Sequence, residues 1–95
     1  MDLAEILSRK DEIKSVAEKH GAHNVRVFGS FVRGETHSKS DVDFLIDLDR
    51  GRSFFDRVSI QLELEEMLGC RVDVVSSRGL KARIRERVLE EAQFL

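Results

Sequence analysis

Val25-Arg26-Val27-Phe28-Gly29-Ser30 and, ten residues further on, Asp41-Val42-Asp43-Phe44-Leu45-Ile46 are the two stretches that decide how this chain folds. In the first, short apolar runs around Arg26 stop at a glycine, which predicts a strand over 24–28 closed by a Gly-Ser turn. In the second, an apolar run opens on two acids and predicts a strand over 43–48. Acids at i and i+2 of a strand share a face and lie ~6–7 Å apart by strand rise. A third acid, Asp73, interrupts the apolar strand predicted over 71–76. Buried without a partner, that carboxylate would cost several kcal/mol, so it requires either a cation or an exposed sheet edge.

Working outward, Leu3, Ile6, Leu7, Ile13, Val16 and Ala17 follow helical spacing and predict one helix over 3–19, with Asp2 as N-cap and Gly21 past its end. A short helix over 30–32 is expected after the Gly-Ser turn. Residues 34–40 are polar and read as a mobile loop. Ser53 and Asp56 have capping-box spacing, starting a helix that Gly69 stops. The apolar residues of that helix span roughly 240°, far more than the ~100° stripe of an ordinary surface helix. Part of the arc is therefore expected to meet another chain. A last helix over 80–92 should turn Leu80, Ile84, Val88 and Ala92 inward.

The connections then arrange the acids. If the first strand runs antiparallel to the second, the Gly-Ser turn lies beside Asp41 and Asp43. A helix between the second and third strands allows the crossover that parallel neighbours need, which brings Asp73 beside Asp43. The expected fold is α+β, a small mixed three-stranded sheet flanked by about four helices, in a single domain over residues 1–95.

Charged residues make up 36% and apolar ones 41% of the 95 residues, which describes a soluble globular chain rather than a disordered one. The net charge is −2 and acids and bases are interspersed, so direct binding of nucleic acid, which needs a basic stripe, is not expected. No apolar run reaches the ~18 residues of a membrane span. Cys70 is the only cysteine and reads as a small core residue. A cytoplasmic location is expected.

The chemistry follows from hard-ion coordination. Magnesium takes oxygen ligands and keeps waters and substrate phosphate oxygens, so one or two carboxylates suffice per ion. Asp41, Asp43 and Asp73 together can hold two ions ~3.5–4 Å apart, one activating a hydroxyl nucleophile and one neutralising departing pyrophosphate, with Asp73 on the nucleophile's side accepting its proton. Ser30 offers a hydroxyl and a backbone N–H to phosphate, and Gly29 permits close backbone approach. Ser30 also suits a helix N-cap. Arg33 suits either a phosphate clamp or a structural acid, and Lys39 either triphosphate or solvent. His20 and His23 are expected to serve a helix C-terminus, His37 has too few companions for zinc, and Asp47 and Asp49 are expected in solvent.

At Gly29-Ser30, Asp41-Val42-Asp43 and Asp73 the chain resembles the nucleotidyltransferase superfamily related to DNA polymerase beta, and in its ten-residue spacer and short length it resembles the minimal nucleotidyltransferases. The resemblance implies an enzyme that uses ATP with Mg²⁺, for which Mn²⁺ can substitute. It further implies an antitoxin that transfers AMP onto a tyrosine of a HEPN-domain ribonuclease toxin, with the wide apolar arc docking that partner or forming a homodimer. Two rivals stand beside it: transfer to a small molecule with a separate acceptor-binding subunit, and a non-catalytic module that covers its toxin.

Overall fold

The computed structural model describes residues 2–34 and 41–95. Among them is a four-stranded sheet in the order β3-β2-β1-β4, formed by β1 (Ala22–Phe28), β2 (Val42–Leu48), β3 (Val72–Ser76) and β4 (Gln93–Phe94). β1 is antiparallel to β2 and β4, and β2 is parallel to β3. Both pairings that the sequence requires to gather its acids are present. The fourth strand is a correction to the three expected. It is only two residues long, directly follows a helix, and gains its hydrogen bonds from β1 rather than from any local pattern.

The predicted first helix is two, α1 (Leu3–Ser8) and α2 (Lys10–Lys19), with Arg9 out of helical geometry between them. Ser8 Oγ donates to the Glu5 carbonyl at 2.7 Å, a back-bond that bends helices. Arg9 turns away to donate to the Met67 carbonyl at 2.9 Å, in the last turn of α4 (Phe54–Leu68), where a cation meets the negative helix end. The remaining α-helices are α3 (Ser30–Arg33) and α5 (Ala82–Glu91), making five α-helices among the described residues, with a 3₁₀ turn at Ser77–Gly79. The Ser53–Asp56 capping box is formed, with Ser53 N–H donating to Asp56 Oδ2 at 2.8 Å.

Strand alternation sorts the residues into two faces. Val27, Val42, Phe44, Ile46 and Val74 are buried with Ile6, Ile13, Ile60 and Leu64 in one core, where α2 lies on β1, α4 on β3, and the two helices on each other. Asp43, Leu45 and Asp47 of β2 face the other way, as do Arg26 and Asp73 by register. β1 absorbs one extra residue between His23 and Arg26, with Asn24 in the left-handed region at φ 52°. β3 is an edge strand, and α4 caps its outer side: Val72 N–H donates to Glu65 Oε2 at 3.2 Å and Arg57 donates to the Val74 carbonyl at 2.7 Å.

The wide apolar arc of α4 divides in two. Ile60, Leu64 and Leu68 are buried, while Phe54, Phe55 and Leu62 point outward, Phe55 being 78% exposed. α5 departs from expectation: Val88 is its one buried residue, and Ile84 is 41% exposed. Cys70 is half-buried against the core, and burial raises its thiol pKa. No helix among the described residues is long and apolar enough to cross a membrane.

Candidate active site

β1 ends on Phe28, whose register partner is Asp43, and Asp43 in turn pairs with Asp73 across the parallel ladder. The Gly-Ser turn therefore sits directly beside Asp43. Gly29 has φ 81° and ψ −150°, a region essentially reserved for glycine. A Cβ there would collide with the Asp43 carboxylate. Both the conformation and the approach demand a residue without a side chain, and both belong to the residue that the sequence marks as the turn.

Asp43 is half-buried and its carboxyl is pushed up to about 6 from an ordinary 3.8. Burial is the largest cause, the charges of Asp73 and Asp41 add to it, Arg33 opposes them, and Glu91 adds a smaller push. Asp73 is exposed on the edge strand, the alternative to cation pairing that its sequence context allowed. Asp41 lies just before β2, its Oδ1 3.8 Å from Arg71 Nε, with both side chains substantially exposed. Among the described residues no group of three or more His, Cys, Asp or Glu side chains is arranged to hold a metal ion by itself. Magnesium does not require one, because it retains water and phosphate oxygens; hard carboxylates that repel one another on Asp43 are a fitting donor set for such an ion.

Ser30 is the first residue of α3, and Gly29, not Ser30, is the N-cap. Ser30 therefore does not play the helix-capping role that its position in the sequence suggested. Arg33 NH1 donates to Glu91 Oε1 at 2.6 Å, the structural-acid alternative that the sequence left open. Lys39 and His37, with the rest of the loop expected to be mobile beyond Gly34, lie outside the described residues.

Two expectations about the far end of the sheet are corrected. Asp47 is not a solvent acid: it accepts hydrogen bonds from Ser77 Oγ, from Asn24 Nδ2 at 2.9 Å and from Arg26 NH2 at 2.8 Å. Burial pulls its carboxyl upward, but these three donors outweigh it and hold the pKa below the ordinary value. His23 serves no helix end; its Nδ1 lies 2.8 Å from Asp49 Oδ1. His20 does cap α2, where its Nε2 meets Glu63 Oε2 at 2.9 Å.

Glu91 escaped the sequence reading altogether. It is the last residue of α5, its Oε2 accepts the Gly29 N–H at 3.2 Å, and its Oε1 takes Arg33. One signal was available: Glu90 and Glu91 end a helix whose last turn has no basic residue, which is electrostatically unfavourable and points to a cation supplied from elsewhere in the fold.

This architecture is that of a nucleotidyltransferase. A solved minimal nucleotidyltransferase superposes with a TM-score of 0.90 at 47% identity, over 100% of this chain and 97% of that one. The family model described as Nucleotidyltransferase domain matches residues 5–95, and the chain belongs to that family. The protein adenylyltransferase MntA of Thermococcus cleftensis is 39% identical over 82 residues, covering 86% of this chain and 83% of its own. A Methanocaldococcus jannaschii chain assigned as a protein adenylyltransferase is 37% identical over 83 residues, covering 87% and 89% respectively. A toxin–antitoxin structure with AMP-PNP shares the fold, with a TM-score of 0.77 at 20% identity over 90% of this chain and 70% of that one.

Proposed function

We propose that this nucleotidyltransferase is a single catalytic domain that transfers AMP from ATP to a protein hydroxyl. The observation that carries the proposal is the convergence on Asp43, which has Gly29 packed on its carboxylate on one side and Asp73 in register on the other. In this reading Gly29 and Ser30 bring backbone N–H groups and a hydroxyl to the phosphates, and Arg33 adds a cation. Lys39 is proposed as a further phosphate contact.

Asp41, Asp43 and Asp73 are the residues that would hold magnesium, with two ions expected and manganese able to substitute. Magnesium bound there supplies Lewis-acid neutralisation of the triphosphate and eases ionisation of the acceptor hydroxyl. The acceptor oxygen forms a bond to the α-phosphorus, the bond from that phosphorus to the bridging oxygen breaks, and pyrophosphate leaves. In this reading Asp73, exposed on the edge strand, takes the hydroxyl proton.

The partner reading rests on the resemblance to minimal nucleotidyltransferases and on the similar proteins named for protein adenylylation. It makes the acceptor a tyrosine of a HEPN-domain toxin and the chain its cytoplasmic antitoxin. The outward Phe54, Phe55 and Leu62 offer apolar area for such docking. The test is to incubate the purified chain with the product of its neighbouring gene, ATP and magnesium, and to weigh both proteins. A gain of AMP on the partner is the expected result. Tight association without any mass gain would overturn transfer in favour of simple blocking.

A further inference from the structure

The carboxylate of Glu91 occupies the two cationic or donor groups beside Asp43 that the proposed function assigns to phosphate. Its Oε2 takes the Gly29 N–H at 3.2 Å and its Oε1 takes Arg33 at 2.6 Å. A carboxylate and a phosphoryl group present the same chemistry to such donors: two anionic oxygens accepting charge-assisted hydrogen bonds. Glu91 is well shielded, its side chain 18% exposed, and so fills the position rather than passing by it. It also brings one more negative charge to a site that already contains Asp41, Asp43 and Asp73, and a triphosphate would have to enter against it.

The packing of α5 itself is light. α5 has one buried apolar residue, Val88, and Ile84 and Leu89 are 41% and 40% exposed. Beyond Ala92 the chain is held by β4, which pairs with β1 at Arg26 and Val27, by the Leu95 N–H donating to the Val25 carbonyl at 3.0 Å, and by Leu95 packed against the core. With its end pinned and its body lightly packed, α5 can release the Glu91 carboxylate by a change of side-chain rotamer without dismantling the main core.

Resting on the nucleotide reading above, we propose that Glu91 is a built-in competitor for triphosphate, so that the end of α5 must release Gly29 and Arg33 before nucleotide can seat. Affinity for nucleotide is then reduced by the fraction of molecules in which Glu91 has let go.

The test is calorimetric titration of a nonhydrolysable ATP analogue with magnesium into the whole chain, comparing wild type with Glu91→Ala and Glu91→Gln. Tightening of about 10-fold in Glu91→Ala is expected, with a smaller gain in Glu91→Gln, which keeps a hydrogen-bond acceptor but loses the charge. Thermal unfolding establishes that each variant is folded. Should Glu91→Ala unfold, Glu91→Asp replaces it: a side chain one methylene shorter withdraws from Gly29 and should tighten binding as well. Equal or weaker affinity in folded variants overturns the competitor role while leaving the nucleotide site standing. Absence of binding in wild type and variants alike overturns the nucleotide reading, and this inference with it.

Discussion

The two ends of β2 carry the same residue type in opposite circumstances. Asp43 and Asp47 lie four residues apart on one face of one strand, yet the carboxyl of Asp43 is raised to about 6 and that of Asp47 is lowered. Asp47 is satisfied from within the fold, by Ser77, Asn24 and Arg26. Asp43 meets Asp73 and Asp41 instead, and its burial is not compensated by comparable donors. An acid whose partners are supplied by the chain fastens elements together, whereas an acid left in the company of other acids is available to something from outside. The difference separates architecture from chemistry along a single strand.

The sharpest way to break this comparison is to neutralise each acid in turn. Asp43→Asn should reduce AMP transfer by on the order of 10³-fold or more, the several kcal/mol that metal-assisted charge stabilisation contributes. Asp47→Asn should leave the rate per folded molecule close to wild type; equal losses at both positions in a quantitative transfer assay would erase the distinction. Gly29→Ala comes next. It forces a side chain into a glycine-only conformation and onto the Asp43 carboxylate, and should destabilise by about 3 kcal/mol in urea unfolding.

Asp47→Ala should cost about 2 kcal/mol, because it strands Arg26, which is 7% exposed and already has one buried nitrogen, Nε, without a hydrogen-bond partner in the structure. Asp43→Asn, by contrast, should stabilise by about 1 kcal/mol at pH 8, allowing for the screening that partial exposure of Asp43 provides. The pH dependence has opposite signs at the two ends. With a folded pKa near 6 against an ordinary 3.8, Asp43 binds more protons folded than unfolded between those values. Stability contributed there falls as pH rises through that window, and the gain from Asp43→Asn should vanish by pH 3. Asp47 behaves conversely: its contribution is present above the ordinary carboxylate value and is lost as pH falls through its lowered pKa. The smallest effect is spectroscopic. The Asp43 carboxyl carbon should titrate near pH 6 in metal-free buffer and at lower pH on addition of magnesium, and a midpoint that ignores magnesium would contradict the metal reading.

Much of this was legible because it is local. The Ser53–Asp56 capping box, the glycine stops and the strand alternation are written in adjacent residues, and the placing of Asp73 beside Asp43 followed from the crossover that a helix between parallel strands imposes. What escaped depends on distant partners. The break at Arg9 is decided by the Met67 carbonyl, the status of Asp47 by Asn24, Arg26 and Ser77, and β4 by the free edge of β1. Helical periodicity continues on both sides of Arg9, so the apolar pattern does not reveal the interruption. Glu91 was the costliest omission at the candidate site, since its only trace was an unfavourable charge at a helix end.

The capping of β3 by α4 limits how a second protein can reach Asp73. With the Val72 N–H taken by Glu65 and the Val74 carbonyl taken by Arg57, the outer rim of the sheet offers little ladder for an incoming strand. Recognition by β-augmentation is therefore hindered on that side. Under the proposed transfer, an acceptor hydroxyl is then best delivered end-on, from a loop or a helix tip lowered over the acidic face. A protruding segment meets that demand better than a flat surface.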